Sequence, residues 1–85
     1  MDQSIFIGDK DTFAYMRAIT IRLNKDGVTI IKARGNHIKK AVDVSLIVVN
    51  SVIGVKVDNV SITSQDYLDK KVSSITITLK QLEVQ

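Results

Sequence analysis

The chain predicts an α+β fold, a single-domain βαβαββ two-layer sandwich with two helices on one face of a mixed four-stranded sheet. Three observations lead there. Short β-branched runs alternate with two stretches of helical periodicity, the four glycines fall at the joins, and the C-terminal third alternates apolar with polar residues. A strand, helix, strand start calls for a right-handed crossover, which sets both helices on one side of the sheet.

The first strand spans residues 4–8, a short apolar run closed by Gly8. Asp9 or Asp11 then opens a helix over residues 12–24, whose core positions at helical spacing are Phe13, Met16, Thr20 and Leu23. Asn24-Lys25-Asp26-Gly27 stops it. Residues 28–34 (VTIIKAR) are β-branched, lie between two glycines and form a second, buried strand.

From Asn36 as cap, Ile38, Ala41, Val42, Leu46, Val49, Val52 and Ile53 share a helical face, and Gly54 supplies the stop. The valines of this stretch favour a strand by propensity; length and caps decide for a helix. Val44, Ile47 and Val48 then fall on the side away from the core stripe, as the surface for a second subunit. Residues 55–63 and 72–84 make the last two strands, joined by the polar segment 64–71.

Eighty-five residues make one domain, spanning 1–85. A chain this short buries only ~60% of its unfolded surface, so a partner subunit adds to stability. With 45% apolar and 25% charged residues it has material for one core and a charged surface. Cysteine is absent, and His37 is the sole histidine, without a recognisable nucleophile beside it. Disulfides, thiolate chemistry and metal ligation have no candidates, and neither an enzyme, a cofactor nor a small-molecule substrate is expected. The acidic start and the lack of any apolar run of ~18 residues point to no signal peptide, no membrane contact and a cytoplasmic location.

Charge is where the sequence speaks of partners. Lys32, Arg34, Lys39 and Lys40 fall within nine residues that hold no carboxylate, whereas the rest of the chain sums to −1 against a total of +3. Polyanions respond to such local potential. Lys39 and Lys40 stand in the first turn of a helix, where cations oppose the helix dipole at about 0.3–1 kcal/mol each. An anion at that end reverses the sign; pairing with Asp43 is the structural alternative, at only about 0.2–0.5 kcal/mol per pair.

The segment Ile30 to Asp43, IIKARGNHIKKAVD, closely resembles the signature of the Alba family of archaeal chromatin proteins. Ile5-Phe6-Ile7-Gly8, Tyr15 and Val72-Ser73-Ser74-Ile75 extend the resemblance along nearly the whole chain. It implies an extended hairpin arm between the last two strands, and a dimer whose basic loops and second-helix starts lie over the backbone of double-stranded DNA while the arms follow the minor groove. Carried over by position, Lys10, Lys32, Arg34, Asn36 and Lys40 contact phosphates. Lys39 joins them on charge, and Lys70 and Lys71 through the arm. Sequence-independent, salt-sensitive binding at the chromosome is expected, with an RNA-binding ribonucleoprotein subunit as the alternative.

The chain also departs from the family. Where many members carry a lysine pair before the first helix, Gly8-Asp9-Lys10-Asp11 keeps one lysine between two acids. In the arm, Asp66 and Asp69 offset Lys70 and Lys71, and Tyr67 is expected to pack on its own strands. Val52 stands where members often have a phenylalanine for dimer-to-dimer contact. These features suggest a homodimer of reduced affinity, or a heterodimer with a more basic paralogue.

Overall fold

The computed structural model describes residues 4–82, and the expected element order holds. Strand β1 (Ser4–Phe6) leads to helix α1 (Thr12–Asp26), β2 (Val28–Arg34), a 3₁₀ turn (Gly35–His37), helix α2 (Ile38–Ser51), β3 (Val55–Tyr67) and β4 (Lys70–Gln81). The sheet order is β1-β2-β4-β3, with β1 parallel to β2 and the other pairs antiparallel. The expectation for Glu83 and Val84 lies outside the described residues.

One core joins both layers. Thr29, Ile31 and Ala33 on β2 and Ile75, Ile77 and Leu79 on β4 alternate toward the helices and meet Tyr15, Ile19, Leu23, Ala41, Val44 and Val48. Both helices therefore cover the same face of the sheet. Helix α1 ends two residues later than expected, where Gly27 takes a φ of 74° and donates its N–H to the Leu23 carbonyl at 2.8 Å. Glycine adopts that left-handed conformation without the Cβ penalty.

The phase of both helices differs from the sequence reading. In α1 the buried stripe is Tyr15, Ile19 and Leu23, with Met16 beside it, and Phe13 is 75% exposed. In α2 the fully buried residues are Ala41, Val44, Ser45 and Val48; Ile38, Val42, Val49 and Val52 of the expected face pack half-buried against the same core, while Leu46 and Ile53 face solvent. Ser45 is tolerated in the core because its hydroxyl donates to the Ala41 carbonyl at 2.7 Å. Val44 and Val48 are thus core residues of the protomer, which corrects their expected place on a subunit surface; Ile47 alone of the three is exposed.

Helix α2 is also shorter than expected. The 3₁₀ turn precedes it, so Asn36 lies inside a turn and does not cap, and His37 at the cap position makes no side-chain cap bond. Its other end is Ser51, and Val52 is already extended.

The polar segment 64–71 is largely strand. Pairing of β3 with β4 continues to Tyr67 opposite Lys70, leaving only Leu68 and Asp69 as the turn, with Leu68 at a φ of 58°. Strand β2 ends opposite Ser74, so residues 64–73 pair only with each other and project as a two-stranded arm. The arm contributes to a longest dimension of 51 Å against 24 and 23 Å.

Candidate nucleic-acid interface

Parallel strands end at the same edge of a sheet, so the loop after β1 and the turn after β2 lie side by side, each leading into a helix N-terminus. Strand β4 runs antiparallel to β2, so the arm projects beyond Arg34 from that same edge. Topology thereby gathers Lys10, Lys32, Arg34, Lys39, Lys40 and, along the arm, Lys70 and Lys71 at one end. Five carboxylates, Asp9, Asp11, Asp43, Asp66 and Asp69, share it.

Within that end the side chains have different roles. Lys40 turns back over the preceding loop: its ammonium donates to the carbonyls of Gly8 at 3.2 Å and Lys10 at 3.1 Å, and lies 5.9 Å from the centre of the Tyr15 ring. From below, the Tyr15 hydroxyl accepts the N–H groups of Gly8 at 2.8 Å and Lys10 at 3.0 Å. Four hydrogen bonds thus hold the loop that carries Lys10. An ammonium has three donors, so Lys40 keeps one for another acceptor.

Lys39 pairs with Asp43 at 3.2 Å, one turn on, with both side chains exposed; such a pair is worth about 0.3–0.5 kcal/mol and yields readily to a stronger anion. His37 Nε2 lies 3.8 Å from a carboxylate oxygen of Asp9, an ion pair only while the imidazole carries its second proton. Lys32 sits on the sheet face away from the helices, 5.8 Å from the ring centre of Phe6. Arg34 and Asn36 are exposed. Among the described residues neither Lys32 nor Arg34 is ion-paired.

Neither the first turn of α2 nor the 3₁₀ turn before it holds an acid or a side-chain cap. Amide groups there point outward beside cations, an arrangement suited to phosphate. Asp11 is the cap residue of α1 as expected, yet it too makes no side-chain cap bond. Sequence reasoning gave Tyr15 no role; the signal was a tyrosine seven residues after the glycine that closes the first strand.

The Alba family model matches residues 3–64. The chain belongs to the Alba family. Among similar relatives, the DNA/RNA-binding protein Alba of Nitrosopumilus maritimus is 36% identical, the match covering 92% of this chain and 90% of that one. Its counterpart of the same name in Picrophilus torridus is 37% identical over 88% and 91%. The structure of Alba from Thermoplasma volcanium superposes with a TM-score of 0.83 at 36% identity, covering 92% of this chain and 99% of that one. ALBA1 from Trypanosoma brucei shares the fold, with a TM-score of 0.80 at 19% identity over 95% and 70% of the two chains. Against this Alba frame, the described residues include no cluster of three or more metal-ligating side chains and no helix long and apolar enough to cross a membrane.

Proposed function

We propose that this Alba protein is a sequence-independent double-stranded DNA-binding chromatin protein that works as a dimer at the chromosome or nucleoid. Supporting this reading above all is the convergence of Lys32, Arg34, the uncapped start of α2 and the arm at one edge of the sheet. The similar relatives named DNA/RNA-binding protein Alba support it as well. Backbone phosphates would meet Lys10, Lys32, Arg34, Asn36, Lys39, the remaining donor of Lys40 and, along the minor groove, Lys70 and Lys71. Contacts of this kind position the protein without reading bases.

The second subunit would pack on α2 and β3, which touch each other and keep exposed apolar residues: Ile47 on the helix, and Val57, Val60 and Ile62 on the strand. Asp9, Asp11 and a neutral arm favour a heterodimer with a more basic paralogue as the tighter DNA-binding species. Catalysis has no place in this reading. The test is affinity for two random duplexes of unrelated sequence, alone and with a basic Alba paralogue at equal salt. Equal affinity for both sequences, rising in the mixture, is the expected result; discrimination between the sequences contradicts it.

A further inference from the structure

We propose that the tip of the hairpin arm docks on the outer face of α1 in a second copy of this chain, with Leu68 seated among Phe13, Met16 and Ile21 and Asp69 against Arg17. The contact leaves free both the cations assigned to phosphate and the surface of α2 and β3 offered to a dimer partner. It therefore stands apart from the duplex reading.

Each half of the contact carries a feature that its own subunit does not use. On α1, Phe13, Met16, Arg17, Thr20 and Ile21 recur at helical spacing and line an open depression. The opposite stripe of the helix is in the core, whereas Phe13 and Ile21 are exposed. Arg17 is the charged side chain of that depression and pairs with no carboxylate among the described residues.

At the arm tip, Leu68 combines a left-handed backbone with nearly complete exposure. A two-residue hairpin turn ordinarily places glycine, asparagine or aspartate at such a position. Leucine there strains the backbone and shows a large apolar side chain to water, an outlier that points to a role outside the subunit. Tyr67, expected to pack on its own strands, is instead 61% exposed beside it. Asp69 follows, in no ion pair among the described residues. Residues 64–73 pair only with each other, so the tip is carried clear of its own sheet. An apolar tip with a carboxylate and an apolar depression with a guanidinium complement each other in both respects, which selects a second copy as the occupant. Because tip and depression are different surfaces, the contact is heterologous and propagates from copy to copy.

The chain has no cysteine, so single introduced cysteines report contacts cleanly. The test is disulfide trapping, without nucleic acid, between full chains carrying Tyr67→Cys and full chains carrying Thr20→Cys, with Leu46→Cys on the exposed side of α2 as the control in place of Thr20→Cys. The mixed product is expected to form several times faster than with the control. Leu68→Gly in the first chain, which relieves the turn and removes the apolar tip, slows it to the control rate. Arg17→Asp in the second chain slows it by about fivefold, the upper end for an exposed ion pair, and Asp69→Arg in the first restores it. Ile47→Asp in both chains leaves the product in place. A rate no higher than the control, indifference to Leu68→Gly, a loss that Asp69→Arg does not repair, or a product lost with Ile47→Asp overturns the proposal. Successful trapping by a protein that fails to bind duplex DNA would instead remove the duplex reading alone.

Discussion

The ammonium of Lys40 is bonded to the carbonyl of Lys10, 30 residues earlier, at 3.1 Å. One cation of the basic end therefore holds the backbone of another. Removing it costs both the loop and its share of the potential. Lys40→Ala is expected to destabilise the fold by about 1 kcal/mol, below the usual range for charge-assisted hydrogen bonds because the two bonds are only partly shielded from water. In a chain of this size that lowers Tm by about 4–8 °C. Thermal unfolding followed by circular dichroism checks it; an unchanged Tm removes Lys40 from the loop's support.

Tyr15→Phe isolates the other half of the clamp. The ring remains in the core, but the N–H groups of Gly8 and Lys10 lose their acceptor. Leaving such donors unpaired costs about 1–3 kcal/mol. A lower urea midpoint with an unchanged m-value is expected, together with faster hydrogen exchange at those two amides.

At the arm tip, Leu68 adopts a left-handed φ of 58° and is 97% exposed. That conformation costs an L-residue roughly 1–2 kcal/mol, and glycine escapes the cost while losing about 0.5–1 kcal/mol in backbone entropy. Leu68→Gly is expected to stabilise the fold by up to about 1 kcal/mol, read from the urea midpoint. A clear loss of stability contradicts the strain assigned to this turn.

The corrected phase of α2 gives a paired test. Val44→Ala removes methyl groups from a fully buried site and is expected to cost about 2 kcal/mol, seen as a lower urea midpoint. Ile47→Asp, on the exposed side, is expected to leave the circular dichroism spectrum folded while shifting sedimentation from dimer to monomer. A dimer that survives Ile47→Asp contradicts the proposed interface.

Much of this fold was legible in the residues, for reasons that also explain the misreadings. The second strand was read with its exact ends because β-branched residues lie between two turn-forming glycines. The order of elements followed from the same punctuation. Helix phase was not legible, because α1 offers apolar residues on two faces: Phe13 starts one stripe, and Tyr15 with Ile19 the other. Only the position of the sheet chooses between them. Ser45 hid the core stripe of α2 because a hydroxyl bonded to the preceding turn is buried at little cost. Asn36 looked like a cap because it precedes an apolar run, whereas the 3₁₀ turn places His37 at that position.

In the arm, residues such as Ser64, Gln65 and Asp66 have the composition of a loop; ladder hydrogen bonds, which composition does not carry, make them strand. The basic segment itself was plain in the sequence. What the sequence did not disclose is that Lys40 is tied to a loop 30 residues earlier, since long-range side-chain bonds leave no local pattern.

Salt dependence of duplex binding tests the central claim most directly. Backbone binding predicts that log affinity falls linearly with log salt, by about 0.9 per phosphate neutralised. The double variant Lys32→Ala/Arg34→Ala leaves the Lys40 clamp intact and removes two unpaired cations from the edge where the helix starts and the arm meet. Its slope is predicted to be shallower by about two phosphates' worth per subunit, about four for the dimer, with affinity reduced for every duplex sequence alike. A wild-type slope in that variant, or an affinity independent of salt, contradicts the account.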